Sequence, residues 1–428
     1  MFGSSGVRGI VGKEMNPRLA LKIGEACGQI YGNVVIGNDP RTSSIMIKNA
    51  VISGLLACGA EVTDVGMVAT PTLAYASRDY DIGIMITASH NPAEYNGIKI
   101  FNKDGSGISL KDAKKIEELT KKEPKYVAWN EIGNVEQRDA IKEHLEAILN
   151  DVEGNGIEIA VDCANGATST ITPYLLRKMG CKVIAINSNP DGFFPAHPPE
   201  PVDENLQQIK EICEVRNIIG IAHDCDGDRM VTILKGKLIE NEKLMVLFAK
   251  YVDAKKIVVP VDTSMLLDEV LDAEIYRTRV GDIFISEKLK EINGDFGAEP
   301  SGTWIFPSFS YCPDGIYAVA KFIEMLKEID IEKEIEKMPK YNMIRKSFKA
   351  SREKIEEAME KMGKEIKSME YERLIEIDGY RIEFEDSWAL VRKSGTEPKI
   401  RLTVEAKDEE KMDEILQKME SVVKRCLE

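Results

Sequence analysis

The chain has 428 residues, 43% of them hydrophobic, a length that corresponds to roughly two to four domains with cores of their own. Its 57 Lys and Arg against 72 Asp and Glu leave a net charge of −15, which argues against nucleic acid or an anionic membrane as the main partner. Eight scattered cysteines without a CxxC pair argue against a disulfide frame or a zinc site and fit buried thiols in a reducing cytosol. Met1 to Gly6 lacks the basic and apolar regions of a signal peptide, and no apolar run approaches membrane-spanning length, so the expected location is the cytoplasm.

In chain order, Gly6-Val7-Arg8-Gly9 sets an arginine between glycines. Val34 to Gly37 then reads as a strand ending at Asp39, followed by Arg41-Thr42-Ser43, a helical pattern and a second strand signal from Gly59 to Val62. The same arrangement returns twice. Ile157 to Val161 ends in Asp162 and leads to Gly180-Cys181-Lys182-Val183; Ile257 to Val261 ends in Asp262 and leads to Ala273 to Tyr276. Strand, turn, helix, strand is the βαβ signature. Its return at a spacing of roughly a hundred residues predicts three related α/β domains, since solenoid repeats are about 20 to 50 residues long.

Breakers and composition set the expected boundaries at 1–153, 154–238, 239–339 and 340–428. Arg138 to Val152 reads as a connecting helix before Gly154-Asn155-Gly156. The last unit lies outside the repeat. A helix from Ser351 to Met362, strands over Leu374–Ile377, Arg381–Phe384, Ala389–Arg392 and Ile400–Glu405, and a helix from Lys411 to Cys426 make a small α+β domain.

Four loops carry the chemistry. The apolar run Ile82 to Ile86 stops at Thr87-Ala88-Ser89-His90-Asn91-Pro92, which brings the Ser89 hydroxyl to a strand end, where ligands collect in α/β sheets. Lys99 follows just beyond it. The run Ile218 to Ala222 delivers Asp224, Asp226, Asp228 and Arg229 to another strand end. Carboxylates at alternate positions can converge on Mg²⁺, which is bound by a few carboxylates together with substrate phosphate. A calcium EF-hand does not fit, because Arg229 stands where that loop needs Gly and Lys235 where it needs Glu.

The third loop, Glu299-Pro300-Ser301-Gly302-Thr303, offers donors and acceptors to vicinal sugar hydroxyls, although an ordinary turn would show the same string. In the fourth, Arg392, Ser394, Gly395, Thr396 and Arg401 combine a close backbone approach, hydroxyls and two guanidinium groups. That is a phosphate cradle without P-loop spacing.

Together, Gly3 to Gly9, Thr87 to Pro92, Asp224 to Arg229, Glu299 to Thr303 and Arg392 to Pro398 resemble the α-D-phosphohexomutase superfamily, in the family's order and over nearly the whole chain. The resemblance implies three α/β domains with mixed sheets around a central cleft and a smaller, mobile C-terminal phosphate-binding domain. It implies that Ser89 is the phosphoserine and that Asp224, Asp226 and Asp228 hold Mg²⁺ together with the Ser89 phosphate. Glu299 and Ser301 would bind sugar, and Arg392, Ser394, Gly395 and Thr396 the phosphate that is not reacting. Arg8, Lys99 and Arg229 would lie beside the transferring group, with Lys99 handling the proton.

Two positions depart from the family pattern. Thr303 stands where many relatives have His, so a proton-transfer role assigned to that His does not carry over. Cys225 replaces a frequent Gly in the metal loop, which is expected to be harmless. The short opening most resembles the branch that interconverts glucosamine 6- and 1-phosphates, through a bisphosphate that also activates the enzyme. A mannose or glucose phosphate mutase is the alternative, and a catalytically silent sugar-phosphate sensor a third reading. The expected partner is a small hexose phosphate.

Overall fold

The computed structural model of the chain describes residues 2–3, 6–394 and 398–428. The first sheet comprises β1 (Val7–Ile10), β2 (Asn33–Asn38), β3 (Glu61–Met67), β4 (Ile82–Ile86), β5 (Tyr95–Phe101) and β6 (Val135–Gln137), in the order β1-β5-β4-β2-β3-β6. The second comprises β7 (Glu158–Asp162), β8 (Lys182–Ile186), β9 (Ile219–His223), β10 (Met230–Leu234) and β11 (Lys237–Leu238), in the order β11-β10-β9-β7-β8. The third comprises β12 (Lys256–Pro260), β13 (Glu274–Thr278), β14 (Phe296–Glu299) and β15 (Thr303–Ile305), in the order β13-β12-β14-β15.

One plan underlies all three. A central strand (β2, β7 or β12) pairs in parallel with a neighbour on each side, and one of those neighbours turns back antiparallel through a loop. The loops joining β4 to β5, β9 to β10 and β14 to β15 are the Ser89, Asp224 and Glu299 loops. The repeat therefore sets the three candidate loops at one topological position. The central strands are apolar because both of their faces are covered; Val34, Val35, Ile36, Val258 and Val259 are all fully buried.

The last unit has a sheet of its own, with β16 (Asn342–Lys349), β17 (Arg373–Ile375), β18 (Tyr380–Phe384), β19 (Ser387–Lys393) and β20 (Lys399–Ala406) in the order β16-β20-β19-β18-β17, all antiparallel. The amphipathic helices Arg352–Lys367 and Glu409–Leu427 cover one face, burying Met362, Ile366, Met419 and Val423 against Ile400, Leu402 and Val404. Ser351 and Asp408 cap these helices by accepting from Lys354 N–H and Lys411 N–H.

The connecting helix Ala140–Asp151 is not a free linker. Its Leu145 and Ile148 belong to the core that the second and third sheets share, with Phe248, Phe296 and Trp304. The last unit docks on the third sheet through Arg381, which is fully buried. Its Nη1 donates to Val261 O and Thr263 O at 2.7 Å each, and its guanidinium lies 3.9 Å from the centre of the Trp388 ring. Among the described residues, no helix is long and apolar enough to cross a membrane.

Candidate active site

Ser89 follows β4 by three residues and is 1% exposed. Its backbone is in the left-handed region, with φ 51°, which is uncommon for a residue with a Cβ. The hydroxyl donates to Asp224 Oδ2 at 2.8 Å and lies 3.3 Å from His90 Nδ1. Burial, then Arg229 and Arg8, drive His90 far below its usual pKa, so the imidazole beside the serine is neutral.

Asp224, Asp226 and Asp228 lie on the β9–β10 loop, each with a ligand atom within 4.8 Å of the others. Gly227 permits this turn. Its φ is +77°, and a Cβ there would meet Thr168 Cγ2 at 2.4 Å. Backbone N–H groups of Gly227 and Arg229 donate to Asp224 Oδ1 at 3.0 and 3.2 Å, and Thr70 Oγ1 donates to Asp226 Oδ2 at 2.6 Å. From β5, Lys99 Nζ reaches Asp226 Oδ2 at 2.8 Å and Asp228 Oδ2 at 2.5 Å.

The electrostatics follow from these contacts. Burial, Asp228 and Asp226 raise Asp224 well above the carboxylate range. Burial would also raise Asp226, but Lys99 outweighs it and holds the group well below that range. Burial would lower Lys99, but the two carboxylates raise it and keep the ammonium charged. Asp226 Oδ1 is buried and has no hydrogen-bond partner. Three converging carboxylates, one orphaned oxygen and an ammonium already bridging two of them suit a hard divalent cation with oxygen ligands.

Arg8 and Arg229 flank this cluster. Arg8 lies opposite Gly97 across β1 and β5, and its Nη1 donates to Asn91 Oδ1 at 3.1 Å. Burial lowers Arg8, against the pull of Asp226 and Asp228. Arg229 Nη1 lies 3.7 Å from Glu200 Oε1, and the Arg229 backbone bridges to that of Thr303. The Asp224 loop is therefore continuous with the third loop, and Met230 N–H also donates to Gly302 O at 2.9 Å.

Within the third loop, Glu299 and Thr303 face each other across the hairpin, and Gly302 turns it with φ +87°. Gly281 N–H donates to Glu299 Oε1 at 2.9 Å, and Ser301 Oγ lies 3.3 Å from Glu299 Oε2 and 3.1 Å from Thr303 Oγ1. Burial, aided by Asp282 and Asp262, pushes the Glu299 carboxyl up to about 7. Thr303 is nearly buried, at 4% exposure, and its hydroxyl faces Ser301.

In the fourth loop, Arg392 on β19 and Arg401 on β20 are directly opposed, so both side chains leave the same face of the sheet. Arg392 Nη2 lies 3.8 Å from Asp262 and Nη1 3.4 Å from Asp378. Ser394 N–H donates to Lys399 O at 2.9 Å. Gly395 and Thr396 lie outside the described residues, as do Ser4 and Ser5 of the opening motif.

The three strand-end aspartates diverge in use. Asp39 accepts from Arg41, Ser44 and Thr87 behind the Ser89 turn. Asp162 accepts from Asn187 and pairs with His197. Asp262 faces Arg392. Sequence reasoning gave no role to Arg41, Asn91, Thr70, Gly281 or Asp282. Asp39-Pro40-Arg41 directly after a strand was the available signal for the first; the others become visible only through long-range contacts.

Known proteins resemble the chain throughout its length. Phosphoglucomutase/phosphomannomutase descriptions match it in four successive parts: alpha/beta/alpha domain I over residues 1–127, domain II over 139–237, domain III over 240–341 and the C-terminal domain over 343–422. A protein of Methanocella arvoryzae named a probable phosphoglucosamine mutase is 48% identical over 433 residues, covering 100% of this chain and 99% of the relative. The phosphoglucosamine mutase of Methanococcus maripaludis is 41% identical over 448 residues, covering 99% and 98%. Among solved structures, a phosphoglucomutase/phosphomannomutase family protein from Burkholderia thailandensis matches with a TM-score of 0.90 at 26% identity, covering 100% of this chain and 98% of that one.

Proposed function

The chain belongs to the phosphoglucomutase/phosphomannomutase family, and from that premise we propose that it is a phosphosugar mutase interconverting glucosamine 6-phosphate and glucosamine 1-phosphate through a phosphorylated Ser89. The hydrogen bond of 2.8 Å from Ser89 Oγ to Asp224, in a loop of carboxylates beside Lys99, carries this reading. The full-length relatives named phosphoglucosamine mutase support the sugar.

In the forward half-reaction the Oγ–P bond of phospho-Ser89 breaks as a P–O bond forms to the free hydroxyl of a hexose monophosphate, giving a bisphosphate. The hydroxyl loses a proton and Ser89 Oγ gains one, with Lys99 handling the proton near the acceptor hydroxyl. The reverse transfer, from the other phosphate, regenerates phospho-Ser89. Such chemistry depends on alignment and charge neutralisation. Asp224, Asp226 and Asp228 would hold Mg²⁺ together with the Ser89 phosphate, and the bound ion would supply Lewis-acid neutralisation of the phosphoryl oxygens.

Arg8 and Arg229 orient the transferring group. Glu299 and Ser301 accept from and donate to the sugar hydroxyls, with Thr303 supporting Ser301. Arg392, Arg401, Ser394, Gly395 and Thr396 grip the distal phosphate. One serine serves both ends of the sugar, so the bisphosphate must turn over between the two transfers.

Coupled assays on glucosamine, mannose and glucose 6-phosphates test the substrate. The highest kcat/KM is expected for the glucosamine compound. A preference for mannose or glucose phosphate would transfer the assignment to the corresponding mutase, and absence of turnover on all three would leave a binding protein.

A further inference from the structure

Arg41 lies on none of the four loops, yet it is 2% exposed and spends four of its five guanidinium donors on holding one of them. A guanidinium carries five N–H groups in a fixed plane. Nε donates to Asp39 Oδ2 at 3.0 Å. Nη1 donates to Pro92 O at 2.6 Å and Tyr95 O at 3.0 Å, and Nη2 to Ser89 O and Asn91 O at 2.6 Å each. Four carbonyls of the turn that leads from Ser89 back into β5 thus converge on one side chain.

The turn is closed from the other side as well. Thr87 Oγ1 donates to Asp39 Oδ2 at 2.8 Å and accepts from Ser89 N–H at 2.9 Å. Asp39 is itself fixed by Ser44 Oγ at 2.7 Å and by the Arg41 N–H at 3.0 Å. Ser89 is therefore held at both its N–H and its carbonyl, through Thr87 and Arg41, by a single buried carboxylate. Behind the guanidinium stand two groups of the second domain: the Phe194 ring, 5.0 Å from the guanidinium carbon to the ring centre, and Cys225 Sγ at 3.6 Å. Cys225 Sγ also donates to Ser89 O at 3.0 Å.

We infer that Arg41 is a positioning residue for phosphoryl transfer: it fixes the left-handed backbone of Ser89, and so sets the direction in which the hydroxyl meets the Asp224 loop. It acts through the Ser89 carbonyl, whereas the hydroxyl bonds to Asp224. The inference rests on the proposed reaction at Ser89. A left-handed serine persists only where its surroundings over-determine it, and here the over-determining groups are Arg41, Thr87 and Cys225. Lysine cannot replace the fork, since it offers one point charge and three donors where five fixed directions are used.

The test compares wild type with Arg41→Lys and Arg41→Gln. Circular dichroism and thermal melting establish that each variant is folded at the assay temperature. The rate at which dephosphorylated Ser89 takes up phosphate from glucose 1,6-bisphosphate is followed by intact mass, and kcat and KM are measured for the hexose monophosphate.

The expected result is a folded protein whose Ser89 phosphorylation rate and kcat both fall by about a hundredfold, as for a displacement of about 1 Å, while KM changes little. A purely structural role would lower the melting temperature and leave the folded fraction turning over normally. Should the Arg41 variants not fold, Thr87→Val carries the test, with the same split expected at smaller amplitude. Wild-type rates of Ser89 phosphorylation in folded variants would overturn this inference alone. A wild-type protein that never takes phosphate at Ser89 would overturn the reaction and the inference together.

Discussion

Ser89 Oγ lies 2.8 Å from Asp224 Oδ2 although 135 residues separate the two in sequence. The serine ends a strand of the first sheet and the aspartate a strand of the second, so the hydrogen bond spans the joint between two repeats. It brings a hydroxyl to a carboxylate that burial and two neighbouring aspartates hold above its usual range. On the proposed mechanism, a hydroxyl in that position accepts the phosphoryl group from the bisphosphate and, once phosphorylated, donates it to the sugar. Ser89→Ala is expected to lower kcat at least ~10³-fold, the scale of losing a covalent nucleophile, with KM and melting temperature nearly unchanged. Steady-state kinetics and a thermal melt check this.

The position of Lys99 gives a prediction about the cation that does not depend on activity. Its ammonium pairs with Asp226 and Asp228, so Mg²⁺ arriving at the cluster competes with it. Lys99→Met removes the competitor and leaves the buried Asp224 and Asp226 and the half-buried Asp228 to repel one another until a cation binds. A ligand that binds only the folded state raises the melting temperature by mass action. The rise on adding Mg²⁺ is therefore expected to be larger in Lys99→Met than in wild type. Equal shifts would remove the cation from this cluster.

Glu299 sets a pH dependence. Its carboxyl rises from an ordinary 4.5 to about 7 in the folded chain, so between those values the folded protein holds a proton that the unfolded chain has released. Its contribution to stability is complete below about 4.5 and is lost as pH rises to about 7. Accepting from sugar hydroxyls at both oxygens suits the ionised form, so kcat/KM is expected to rise as pH passes through about 7. Glu299→Gln should lose that limb and keep the one near pH ~6 that belongs to the substrate phosphate. A pH profile of kcat/KM in the two proteins checks this; identical limbs would exclude Glu299 as their source.

Arg392 faces Asp262 and Asp378 across the junction of the third and fourth units, where a substrate phosphate would take over its donors. Arg392→Ala is expected to raise KM by about one to two decades, as for a charged contact worth roughly 1.5 to 3 kcal/mol. The rate at which Ser89 is phosphorylated by saturating bisphosphate should change little. An unchanged KM would place the distal phosphate elsewhere.

How far the sequence could be read depended on how locally each feature is written. The Ser89 and Asp224 loops were legible because hydroxyls or carboxylates follow directly on apolar strands, and the repeat because Asp39, Asp162 and Asp262 each stand at a strand end. That the three candidate loops share one topological position was hidden, because the return of β5 does not read as a strand. β5 carries Asn96 and Lys99 among its apolar residues, and both side chains are spent on hydrogen bonds, to Ser43 and Ser44 and to the Asp224 loop. β16 was missed for a related reason: Arg345 and Lys346 lie at the solvent-facing edge of its sheet and break the apolar pattern. Arg41 stood next to a recognised strand end, yet its role lies in carbonyls about fifty positions away in sequence. Cys225, expected to be harmless, lies against the Ser89 carbonyl.

The central claim is that the phosphate on Ser89 is the phosphate that moves. Protein carrying isotopically labelled phosphate on Ser89, confirmed by peptide mass, is mixed with a slight excess of unlabelled glucosamine 6-phosphate and quenched on the timescale of one turnover. The account predicts that label leaves the serine at least as fast as glucosamine 1-phosphate forms, and that it appears in the sugar bisphosphate and monophosphate pool. Formation of glucosamine 1-phosphate while the label stays on Ser89 would contradict it.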